Sequence, residues 1–129
     1  MRNKKMKASL VAVLSIIFSL TIFAPSSIAH GSLEPKHGGI VKEAHDMVFE
    51  LVRKENSVVI YVRDHGEDYP TADLTGNIIY LASGKKVYAS LTSAGGNKMT
   101  AEVKVTDGLN LLVRIKDGDH HPVTVRYSF

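Results

Sequence analysis

From residue 47 onward, apolar and polar positions alternate with a period of two. That is the repeat of a half-buried strand, not the 3.6-residue repeat of a helix. Residues 47–53 read MVFELVR, and after a polar Lys54-Glu55-Asn56 turn the alternation returns in SVVIYVR, residues 57–63. Further strands are predicted at 77–83 (NIIYLAS), 85–91 (KKVYASL), 99–105 (MTAEVKV), 109–115 (LNLLVRI) and 122–128 (PVTVRYS). The alternation also assigns faces. Val87, Ala89 and Leu91 share one side, and Ala101, Val103 and Val105 point inward. Leu109, Leu111, Val113 and Ile115 do the same, as do Val123, Val125 and Tyr127. Ser83-Gly84, Gly95-Gly96-Asn97 and Asp107-Gly108 supply turns, the last a strong hairpin signal. Seven short strands at roughly ten-residue spacing predict an all-β fold, a seven-stranded antiparallel Ig-like β-sandwich with a barrel as the neighbouring solution. Residues 64–75, DHGEDYPTADLT, form the long central loop, either a crossover between sheets or a functional loop.

Ahead of the strands the pattern changes character. Arg2, Lys4, Lys5 and Lys7 precede a mostly apolar run from Ala8 to Phe23, and small residues stand at Ser27 and Ala29. This is the order of a secretory signal peptide, residues 1–29, and the apolar run falls short of the about 20 residues of a membrane span. Cleavage after Ala29 would leave His30–Phe129, one domain led by an extended, histidine-bearing segment at 30–46 and followed by the sandwich at 47–129. The membrane is then touched only through the cleaved signal, and the expected location is the periplasm.

Removal of the signal also reverses the apparent basicity. Four of the 16 Lys and Arg precede residue 30, leaving 12 against 13 Asp and Glu, a net charge of −1 with histidine neutral. Nucleic acid is therefore not an expected partner, since such binding rests on clustered positive charge. The chain has no cysteine, which excludes disulfides, thiolate metal sites and cysteine nucleophiles. No Gly-x-Ser-x-Gly elbow or phosphate-cradling glycine loop is present, and no catalytic residue is expected.

What remains is histidine. All six histidines lie beyond residue 29, at 30, 37, 45, 65, 120 and 121. None stands on an apolar strand face, and His37, His45 and His65 sit beside glycines or acids. Imidazole suits copper, zinc and nickel, and Asp46 and Asp64 are placed to ligate or to fix a ring tautomer. If residues 47–53 and 57–63 form a hairpin symmetric about Glu55, position 45 meets position 65, which brings His45 and His65 together at one end. A one-residue slip would send the two rings to opposite faces. An N-terminal His30 would offer amine and imidazole together, a chelate suited to square-planar Cu(II). His120 and His121 in DGDHHP read as a polar turn, because adjacent side chains on an extended chain point apart. The candidate metal ligands are His37, His45, His65, His30 and Asp64, with copper the expected ion and zinc or nickel the alternatives.

The ordered segments KHGGIVKEAHDMVFELV, VVIYVRDHGEDYP and SLTSAGGNKMTAEV resemble a group of small exported bacterial proteins encoded beside heavy-metal efflux and copper-resistance systems. A similar His-Gly-Gly segment followed by a strand ending in Glu-Leu-Val occurs in some adaptor subunits of metal efflux pumps. The resemblance implies a periplasmic metal-handling role, efflux-pump components as possible partners, and His37, His45 and His65 as the matching histidines. The competing reading is an Ig-like module that docks on an envelope or efflux complex without any metal. A copper oxidoreductase would need cleavage directly after Ala29 and a substrate surface, and the sequence offers no such surface.

Overall fold

The computed structural model describes residues 33–129; the proposed signal and His30 lie outside them. All regular structure among the described residues is β, in nine strands: β1 Ile40–Ala44, β2 Met47–Arg53, β3 Val58–Asp64, β4 Glu67–Asp68, β5 Leu74–Ala82, β6 Lys85–Ser93, β7 Lys98–Ala101, β8 Asn110–Asp117 and β9 Val123–Ser128. Seven of these answer the seven predicted from alternation. β1 and β4 are additional. β1 lies in the lead segment, where the hydrophobic pattern predicts no strand, and β4 is a two-residue arm inside the central loop. Both form because a neighbouring strand offers an edge and a tight turn returns the chain to it.

Pairing is antiparallel throughout, in the order β1-β2-β3-β7-β6-β5-β8-β9, with β4 set against the end of β3. One hydrogen-bonded path thus links eight of the nine strands, and its outer members β1 and β9 approach each other, so the sheet rolls into a near-barrel. The Tyr127 hydroxyl of β9 donates to the Phe49 carbonyl of β2 at 2.9 Å, a buried tie across that seam. The inward faces are those the alternation assigned: Ala101, Val103, Val105, Leu111, Val113, Ile115, Val125 and Tyr127 are all buried. Each such valine, leucine or isoleucine side chain contributes about 1.5–3 kcal/mol by leaving water. The strand predicted at 99–105 is paired only as far as Ala101. Beyond it the chain stays extended with Val103 and Val105 still turned inward, so burial continues where the ladder does not.

The central loop is pinned rather than free. Thr71 is fully buried. Its hydroxyl lies 2.8 Å from the Ser93 hydroxyl and donates to the Lys98 carbonyl at 2.8 Å, with the Gly96 carbonyl at 3.1 Å. The Tyr69 hydroxyl donates to Asp117 Oδ2 at 2.6 Å. That bond first, then burial, pushes the Tyr69 phenol above its ordinary range. The loop is therefore a crossover fastened at its middle, through Tyr69 and Thr71.

Candidate functional site

Before β1 the chain crosses the outer face of the β2–β3 hairpin as a strap, residues 33–39. On that face stand Val48 and Glu50 from β2 and Tyr61 and Arg63 from β3, with Glu50 paired to Tyr61 and Val48 to Arg63. An outer face should be wet, yet Glu50 is 0 % and Arg63 1 % exposed. The strap covers them, and it is held by the carboxylate it covers. Glu50 Oε1 accepts from the His37 N–H at 2.7 Å and the Gly39 N–H at 3.0 Å, and Oε2 accepts from the Lys36 N–H at 3.0 Å. Arg63 donates to the Glu34 carbonyl at 3.1 Å. Burial alone would raise the Glu50 carboxyl. The backbone donors of Gly39, His37 and Lys36, helped by the His37 ring, outweigh it and hold the carboxyl below its ordinary range.

This geometry accounts for the two glycines of His-Gly-Gly. Gly38 takes φ +73°, the left-handed region that favours glycine. A Cβ on Gly39 would stand 2.4 Å from the Leu51 carbonyl oxygen, so only glycine lets the strap lie this close to β2. The motif is thus a carboxylate-binding loop closing on a residue of its own chain.

The His37 ring is fixed as part of the same arrangement. It stacks on Tyr61 with centroids 3.5 Å apart and planes 5° apart, and its Nδ1 lies 3.1 Å from Glu50 Oε2. An ionised carboxylate only accepts, so Nδ1 must carry the proton and Nε2 the lone pair in the neutral ring. His65 repeats the pattern on a smaller scale, with Nδ1 2.6 Å from Asp64 Oδ1 and its side chain 70 % exposed. Asp64, expected as a candidate ligand, here orients the neighbouring imidazole.

The hairpin register differs by one residue from the one expected. Met47 pairs with Asp64 and Arg53 with Val58, and the Lys54 N–H donates to the Ser57 carbonyl at 2.8 Å. The centre therefore falls between Glu55 and Asn56, not on Glu55. His45 also does not prolong β2. With φ +51° at His45 and +64° at Asp46, residues 45–46 are the two-residue turn between Ala44 and Met47. His65 (φ +49°) and Gly66 (φ +83°) make the matching turn between Asp64 and Glu67. Because Met47 pairs with Asp64, both turns stand at the same end of the sheet, as expected, but their imidazoles part. His65 turns to Asp64, whereas His45 lines a cavity together with His120 and His121.

Among the described residues, no three His, Asp or Glu side chains are grouped so as to hold one ion. Of the candidate ligands, His65 and Asp64 are in contact at 2.6 Å, His37 lies against Glu50, His45 lines the cavity with His120 and His121, and His30 lies outside the described residues. Sequence reasoning missed Glu50, the residue that organises the face. The available signal was the joint occurrence of Lys-His-Gly-Gly and a strand with a carboxylate amid apolar residues. Comparison with protein-family models, with curated proteins and with solved structures returned no match.

Proposed function

We propose that the chain is a non-enzymatic, exported metal-binding protein of the periplasm, which takes a copper ion, with zinc or nickel as alternatives, and buffers or delivers it in support of metal efflux. The observation that carries this reading is the shared state of two imidazoles. His37 and His65 each give Nδ1 to a carboxylate, the arrangement that fixes the tautomer and raises the basicity of metal-ligating histidines. In the neutral ring each thus keeps its lone pair on Nε2. Single, exposed nitrogen anchors suit an ion that must be handed on, because ligand exchange is not blocked by a closed cage. His45 stands on the turn beside that of His65, and cleavage after Ala29 would put the amine and imidazole of His30 at the free end of the strap. In this reading the Ig-like frame expected from the sequence acts as a rigid support and carries no chemistry.

The test is a Cu(II) titration of the exported, natively processed protein, followed by electron paramagnetic resonance, with the N-terminus identified by intact mass. A nitrogen-rich copper signal is expected, weakened in His37→Ala and in His65→Ala. Affinity should fall below about pH 6, since a ring must be neutral to ligate. Affinity that is flat between about pH 7 and pH 5, or unchanged in both variants, would refute the metal role.

One observation favours a second reading, an interaction module docking on an envelope or efflux complex. β6 pairs with β7 only through Thr92 and Ser93, so Lys85–Leu91 presents a sheet edge, next to the exposed Leu81 and Tyr88. Free edges are templates for an added strand. On this reading alanine at His37, His45 and His65 leaves partner binding intact.

A further inference from the structure

The rolled sheet has an open end where the β1–β2 turn meets the β8–β9 turn. A cavity of about 280 Å³ opens there. Its walls are apolar, built from Met47, Phe49, Ile115 and Val123, of which Phe49 and Ile115 are otherwise core residues. Imidazoles from His45 on one turn and His120 and His121 on the other complete the lining with Asp117. Asp117 Oδ2 accepts from Tyr69, while its other carboxylate oxygen accepts no hydrogen bond among the described residues. The cavity therefore combines an apolar body with a negatively charged acceptor, and it has no lysine or arginine in its lining.

We infer that this barrel-mouth cavity is a binding site for a single-ring aromatic molecule bearing a hydroxyl or amine donor. Mouths of β-barrels are favoured places for small-ligand sites with apolar walls and a few polar anchors. The volume admits one ring. The Met47 thioether, on the partly buried rim, is a good neighbour for an aromatic ring. The free oxygen of Asp117 selects for a donor head and against an anion, which it would repel. Ring nitrogens of the three imidazoles at the mouth can supply a second hydrogen bond. The site shares His45 with the residues proposed for metal but uses neither His37 nor His65, and metal-free protein tests it apart from the proposed metal role.

Phenol and benzoate form a matched pair of probes, equal in ring and opposite in head. Amide shifts of the isotopically labelled, natively processed protein would be followed by NMR with a chelator present to remove metal. Phenol should give saturable shifts at Met47, Asp117 and Val123, binding about tenfold or more tighter than benzoate, the ratio expected for a hydrogen bond to a charged group. Val123→Phe fills the cavity and should abolish the saturable response. Asp117→Asn keeps the side-chain size and should bring the two probes to within about threefold of each other, as it removes the charge that tells them apart. Benzoate binding as tightly as phenol, shifts spread over the surface without saturation, or an unchanged response in Val123→Phe would each overturn the inference.

Discussion

Replacing Glu50 with glutamine tests the central structural argument, because it alters chemistry without altering size. In the native chain the carboxylate accepts from three backbone N–H groups and from the His37 ring. A glutamine has one oxygen and one NH2 group in the same place, so on one side two donors must face a donor. If the oxygen keeps His37 N–H and Gly39 N–H, the amide NH2 meets Lys36 N–H and the ring. The ring can escape by moving its proton to Nε2, but a backbone N–H cannot. One unpaired backbone donor costs about 1–3 kcal/mol, and the two retained bonds fall to about half their strength when the charge is gone.

Glu50→Gln should therefore destabilise the protein by about 3–5 kcal/mol, a large part of the about 5–15 kcal/mol typical of a domain. Urea unfolding followed by far-ultraviolet circular dichroism measures the loss. Hydrogen exchange at Lys36, His37 and Gly39 shows whether the strap is what loosened. A loss under about 1 kcal/mol, with those three amides as protected as before, would refute the account of a carboxylate-pinned strap.

Further outcomes follow from the same geometry. Gly39→Ala places a methyl carbon against the Leu51 carbonyl and should lift the strap, giving fast exchange at the Lys36 and His37 amides while β8 and β9 stay protected. Thr71→Val removes the hydroxyl that joins Ser93, Gly96 and Lys98 and should cost about 1–3 kcal/mol in urea unfolding. The Glu50 carboxyl lies below its ordinary value of 4.5 in the folded chain. Its stabilisation is therefore complete above that value and is lost as the pH falls through the lower, folded one. Unfolding midpoints should decline on acidification below about pH 4.5, and Glu50→Gln should flatten that decline. If the proposed metal role holds, Glu50→Gln should also weaken copper binding at His37 by about 10–100-fold, read by titration, because the ring's proton moves to the ligating nitrogen.

The strands were legible because strand periodicity is local. MVFELVR occupies β2 residue for residue, and the inward faces of β8 and β9 follow from alternation alone, since the pleat sends neighbouring side chains to opposite sides whatever the topology. The turn residues were legible for the same reason, as Ser83-Gly84 shows with its positive φ at both positions. The candidate site was less legible. His-Gly-Gly carries no hydrophobic repeat, because the strap is held by one buried carboxylate and not by burying apolar side chains. Its partner is 13 residues away from His37, beyond any periodic signal. The hairpin register depends on where a four-residue turn closes, and the pattern of apolar positions does not distinguish its centre by half a residue; the turn that takes His45 out of line with β2 exists only because β1 folds back on it. His120 and His121 looked like an idle turn for a related reason. Only the rolling of the sheet carries that turn to His45 and closes a cavity between them, and that closure is settled by contacts between the two ends of the strand order.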